Sequence, residues 1–183
     1  MSLFERLPAG TFSGHTDEVG DVAHANCAVI QELTSDGSLR PNQEILDYAA
    51  DKLTLSRLPI AASHSLVPGL QERDLAGQIV LTFLGPSADN MGENTGTYGE
   101  VLQYKQFAVA NPQYNRPLFI SSAYNIGNIL RQARLLKVPD IAAPDDLPRT
   151  HFDWRSDQLW TKNWALWALT AKLRIEILKH NRH

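Results

Sequence analysis

The chain has 183 residues, 43% of them hydrophobic, enough to build one globular domain around a real core. Seventeen Lys and Arg against twenty Asp and Glu leave a formal net charge of -3, which excludes a protein that grips nucleic acid over its whole surface. A single cysteine, Cys27, excludes an internal disulfide and any cysteine-rich zinc site.

The start, "MSLFERLPAG", is too short and too charged for a secretory signal, and no apolar stretch approaches the ~20 residues of a bilayer span. The expectation is a cytoplasmic protein of one domain, with residues 1–22 as an irregular lead-in. "CAVIQEL" (27–33) reads as the first strand, with Cys27 as a small core residue. "PNQEILDYAADKLTL" reads as a helix, with Pro41 in its first turn and Ile45, Tyr48, Ala49 and Leu53 on one stripe. "PIAAS" (59–63) and "QIVLTF" (78–83) read as the second and third strands. A helix from about Tyr98 to Ala110 follows, then a fourth strand, "PLFISS" (117–122). "NIGNILRQARLLK" places Ile126, Ile129, Leu130, Ala133 and Leu136 on one side of a helix, and "PDIAAPDDLP" reads as a surface loop. The spacing of Trp160, Trp164, Trp167, Ala171 and Ile175 predicts a long amphipathic helix over 157–183. It is expected to pack on the sheet or on a partner subunit, as in a homodimer. Its aromatic residues and terminal basic charge also fit a membrane surface.

The strand segments are continuous apolar runs, as in parallel strands covered on both faces, and they alternate with helices. The pattern predicts a three-layer α/β domain with a mainly parallel sheet. In such sheets ligands bind beyond the carboxyl ends of the strands. The turns there, "QELTSDGS", "SHSLVPG", "LGPSADNMGENTGT" and "SSAYN", are all polar or glycine-bearing.

Thr97-Tyr98-Gly99-Glu100 fits a capping box, with Thr97 as N-cap and Glu100 reaching back to its N–H. The cap leaves Gly92, Glu93, Asn94, Thr95 and Gly96 unexplained, so this loop is a candidate for ligand contact. Ser121 and Ser122 end an apolar strand and can offer hydroxyls to an anion, whereas Asn125 also suits a plain N-cap. Arg131 and Arg134, further down that helix, are weaker phosphate candidates. His64 follows the second strand directly and is the best-placed histidine for proton transfer, though no Asp or Glu stands near it in sequence to orient it. His15, His24 and His151 are isolated. No histidine or carboxylate cluster has metal-ligand spacing, so no metal is expected. GxxxxGK[ST], GxGxxG and GxSxG motifs are absent, which removes the strongest signals for nucleotide hydrolysis, dinucleotide binding and α/β-hydrolase chemistry.

Asp36-Gly37 and Leu39 after the first strand, then "PIAASHS", "NTGTYGEVL" and "LFISSAYNIGNILRQA", with Ser122 and Tyr124 in place, occur in an order that resembles the YdcF-like family. This bacterial group has long been classed as a domain of unknown function, and the resemblance spans about residues 23 to 140. The chain departs from the family pattern at Ser63-His64-Ser65, where two glycines are replaced, and at Gly99-Glu100, which stands for a Glu-Asn pair. Asn125 and Asn128 stand where the family has His and Arg, which removes groups suited to proton transfer and phosphate holding. The resemblance implies a Rossmann-like fold, a nucleotide-like or phosphate-bearing ligand at the strand edge, and a link to the cell envelope.

The reading is therefore of a domain that binds a small anionic or nucleotide-like ligand, S-adenosylmethionine being one candidate. Asp36, Gly37 and Ser63 are the expected contacts on one side, Asn94, Thr95 and Thr97 above. Ser121, Ser122, Tyr124, Asn125 and Asn128 are expected on the other side. A phosphoester hydrolase or transferase using His64, Glu93 and Ser122 is the alternative, and a catalytically degenerate protein-interaction domain is a third.

Overall fold

The computed structural model of the chain describes residues 19–84, 96–156 and 162. Within them β1 (Cys27–Ile30), β2 (Ile60–Ser63), β3 (Ile79–Phe83) and β4 (Pro117–Ile120) form one all-parallel sheet in the order β3-β2-β1-β4. Helices α1 (Arg40–Ser56), α2 (Val67–Glu72), α3 (Gly96–Ala110) and α4 (Ile126–Leu135) alternate with the strands, giving a Rossmann-like α/β fold. β1, β2 and β4 are buried along their whole length, which is why their sequences are unbroken apolar runs. β3 lies at the sheet edge, and its Val80 and Thr82 are exposed.

Parallel crossovers carry β1 to β2 to β3 in one direction, and the chain then returns to place β4 on the far side of β1. Helix α1 packs against α2 and α3 against α4, as two helix layers on opposite faces require. α1 buries Ile45, Leu46, Ala49 and Leu53, with Tyr48 half-buried at the margin. α4 buries Ile126, Ile129, Leu130 and Ala133, and Leu136 is half-buried just past its end. Each large aliphatic side chain so buried contributes roughly 1.5–3 kcal/mol.

Four expectations need correction. β1 and β4 stop at Ile30 and Ile120, short of the apolar-to-polar runs read as strands 27–33 and 117–122. After β1, Gln31 N–H still bonds to the Ile120 carbonyl (3.0 Å), but the following donors turn to side chains: Glu32 N–H to Ser63 Oγ (3.2 Å), and Leu33 N–H to Asn42 Oδ1 (2.9 Å). The stretch "SHSLVPG" runs into the start of α2, because Pro68 occupies a first-turn position where its missing N–H costs nothing. α3 begins at Gly96, with φ +66°, so Thr97 lies inside the helix and does not cap it. The proline-rich loop after α4 is not wholly at the surface. Ala142 and Ala143 are buried, and Ala142 bonds alongside β4 through its N–H to Pro117 (2.9 Å) and its carbonyl from Phe119 (2.8 Å).

Val19 pairs with Ala143, so the end of the presumed lead-in closes this side of the sheet. Residues 1–18 and the predicted helix 157–183, Lys162 apart, lie outside the described residues. Among the described residues no helix is long and apolar enough to cross a membrane.

Candidate functional site

Parallel pairing lines up the strand ends. Ile30 pairs with Ala62 on one side and Ile120 on the other, so the next residues, Gln31, Ser63 and Ser121, form a row across the carboxyl edge. Side-chain hydroxyls tie this row together. Ser121 Oγ donates to the Gln31 carbonyl (2.9 Å), and Ser63 Oγ accepts from Glu32 N–H. Ser65 Oγ donates to Glu32 Oε2.

Helix α3 adds a carboxyl from above. Tyr104 packs edge-on against Phe119, 6.1 Å between ring centroids, and Phe119 pairs with Val29 in the sheet. From Tyr104 back to Glu100 is one turn, about 6 Å of helix. From Val29 forward to Gln31 is about 6.6 Å of strand. A crossover helix runs antiparallel to its strands, so Glu100 arrives over the Gln31–Ser63 row, where it accepts a hydrogen bond from Ser63. Burial, and then the negative charge of Glu32, push the Glu100 carboxyl up to about 8, while the Ser63 bond offsets part of the rise. At neutral pH Glu100 is therefore mostly protonated, and presents both an O–H donor and a carbonyl acceptor.

Gln31 lies in the same row and is 1% exposed. Both its amide nitrogen and its amide oxygen are without a hydrogen-bond partner. Strand alternation directs its side chain to the face that carries Cys27 and Val29, which is the face α3 covers.

The expected site residues distribute unevenly around this centre. His64 is exposed, in the turn directly after β2. Ser122 ends up buried on β4's side, bonded to Thr150 Oγ1 (2.7 Å). β1 lies between β2 and β4, so the strand ends that lead to His64 and Ser122 are two strand spacings, about 10 Å, apart. Asp36 accepts from the backbone and hydroxyl of Ser38 (2.8 and 2.7 Å), and these bonds hold its carboxyl low. Gly37 fits against the neighbouring turn so closely that a Cβ would meet the Ser65 carbonyl oxygen at 1.9 Å. Tyr124 lies against Phe152, ring centroids 5.2 Å apart. Asn125 stands at the N-cap position of α4 without a capping side-chain bond, and Asn128 accepts from Gln132 (2.9 Å). Thr97 is half-buried in the first turn of α3. Arg131 and Arg134 lie about 8 and 12 Å down α4 from its start, away from the rim. Glu93, Asn94 and Thr95 lie outside the described residues.

Asn42, fully buried on α1, fixes the loop after β1. Its carbonyl oxygen accepts from Leu33 N–H and Thr34 N–H (2.9 and 3.3 Å). Its amide nitrogen donates to the Thr34 carbonyl and hydroxyl and to the Asp36 carbonyl (2.8, 2.9 and 2.9 Å). His151, isolated in sequence, binds Glu44 Oε1 through its ring (2.6 Å) and tethers the chain after α4 to α1. Among the described residues, no three His, Cys, Asp or Glu gather where they would hold a metal ion.

Sequence reasoning missed Gln31, Glu32 and Glu100 as members of this centre. For Glu100 a signal existed: Glu100, Tyr104 and Ala108 share the i, i+4 stripe that α3 buries. Comparison of the chain with family models, with curated proteins and with solved structures finds no match.

Proposed function

We propose that the carboxyl edge of the sheet binds a small nucleotide-like molecule. The observation that carries this reading is the convergence of polar side chains from three strand ends and one helix, Gln31, Glu32, Ser63, Ser121 and Glu100, at one rim. Ligands of open parallel sheets bind at this edge. The order of motifs shared with the YdcF-like family supports the same ligand class.

A thermal-shift panel of nucleosides, nucleotides, S-adenosylmethionine and sugar phosphates tests it. A ligand at 100 times its dissociation constant adds ~2.7 kcal/mol, or roughly 5–11 °C for a chain of this size. Silence across the panel removes the reading.

Acid–base chemistry on a phosphoester is a second reading. It draws support from Glu100 and Glu32, adjacent carboxyls of which Glu100 holds its proton to about 8. Phosphatase activity that is the same in wild type, Glu32→Gln and Glu100→Gln would end it.

A further inference from the structure

We propose that Gln31 and Glu100 form the recognition point for an uncharged planar group with a hydrogen-bond donor and an acceptor on neighbouring atoms. The amino–ring-nitrogen edge of a nucleobase and a carboxamide both have this chemistry. The inference rests on the ligand-binding reading above and specifies which part of the ligand enters the rim.

The argument starts from the unanswered amide. A buried polar group without a partner is costly, and nearly all buried polar groups in folded proteins are bonded. Among the described residues, Gln31 is the buried side chain in which both the donor and the acceptor of one amide go unanswered; Gln78 and Gln132 each leave only an oxygen. The vacant pair points to a partner with the reversed pair. An adenine-like edge offers one, an amino group next to a ring nitrogen, and a glutamine amide reads it through two parallel bonds. Protonated Glu100 duplicates the pattern, with its O–H and carbonyl side by side.

Charge excludes the other ligand parts from this point. The negative charge of Glu32 acts on Glu100, and the same charge repels a phosphate entering there. A cation would attract Glu32 but leave the Gln31 amide N–H groups unanswered. Solvent reaches the cluster past Glu32 and Ser65, both half-buried, and exposed His64 stands beside them.

The test is thermal shift and calorimetric titration of the full chain with adenosine, nicotinamide, their donor-less analogues purine riboside and 3-acetylpyridine, and inorganic pyrophosphate, in wild type and Gln31→Met. Adenosine or nicotinamide should bind at least tenfold tighter than its analogue without the amino donor, purine riboside or 3-acetylpyridine respectively. Which of the two binds tells the nucleobase from the carboxamide. Gln31→Met should lose at least tenfold in affinity while its ligand-free melting temperature stays level or rises, since the unmet amide is gone. Wild-type affinity should also fall at least tenfold between pH 6.5 and 9.5 as Glu100 gives up its donor, a readout that needs no variant.

Stabilisation by pyrophosphate without adenosine or nicotinamide overturns this inference and leaves the nucleotide-like reading standing. Binding that is unchanged in Gln31→Met or flat with pH also overturns it. If no nucleoside or nucleotide of either panel binds, both fall.

Discussion

Replacing Glu100 by Gln isolates the cost of burying a carboxyl under α3. Unfolding returns this group to its usual 4.5, whereas in the fold it sits at about 8. Between those values the folded chain holds a proton that the unfolded chain has released. Its contribution to stability is complete below about pH 4.5, declines through neutrality, and is fully lost above about pH 8. A gap of about 3.5 pH units at ~1.36 kcal/mol each sets an upper figure near 5 kcal/mol. Part of the rise comes from the charge of Glu32 and not from burial alone, so about 3–5 kcal/mol is the working range. Glutamine keeps the shape, and its carbonyl still accepts from Ser63.

The variant should therefore match wild type within about 1 kcal/mol at pH 5 and exceed it by about 3–5 kcal/mol at pH 9, a rise of roughly 6–20 °C in melting temperature. Surface carboxylates do not mask the effect. Asp146, held low by Lys52 and then Tyr48, loses its contribution only as pH falls through that lowered value, outside this window. Calorimetric melts of both proteins from pH 5 to 9 decide it. Parallel profiles, or wild-type stability that climbs towards pH 9, would refute the placement of Glu100 in a buried carboxyl pair.

Asn42→Ala strips five hydrogen bonds from a fully buried position and leaves the loop after β1 without its clasp; urea titration should show a loss of about 3–4 kcal/mol. An unchanged midpoint would mean the loop is held otherwise. Gly37→Ala drives a methyl into the Ser65 carbonyl, backbone against backbone, and should cost about 2–3 kcal/mol by the same measurement. Cys27 is buried, and burial pushes its thiol up to about 12. Native protein at pH 8 should resist iodoacetamide and react stoichiometrically once unfolded in guanidinium; rapid native labelling would contradict the packing of β1.

The sheet was legible because its strands carry their own signature. Buried runs such as "CAVI" and "PLFI" need no alternation, and helices between them impose parallel pairing. The stripe of α1 was legible for the same reason: 3.6-residue spacing records which face is covered. The centre of the site was not, because its key residue satisfied a local rule equally well. Thr97 and Glu100 have capping-box spacing, but Glu100 lies one turn from Tyr104, and burial against the sheet determines its partner. The tether from His151 to Glu44 spans 107 residues of sequence, and no local pattern encodes such a meeting. α2 was hidden by Pro68 and Gly69, which signal a turn as readily as a helix start.

The position of β1 between β2 and β4 has a consequence for assembly. Residues 27–83 contain three neighbouring strands with their connecting helices and can pair as soon as they leave the ribosome. The other side of β1 waits for Pro117–Ile120, some ninety positions later in synthesis. Ser121, which ties the Gln31 carbonyl, arrives with that last strand. A nascent chain halted before it has an open sheet but only half a rim, so closure of the Ser121–Gln31 bond would mark the moment at which the final strand docks.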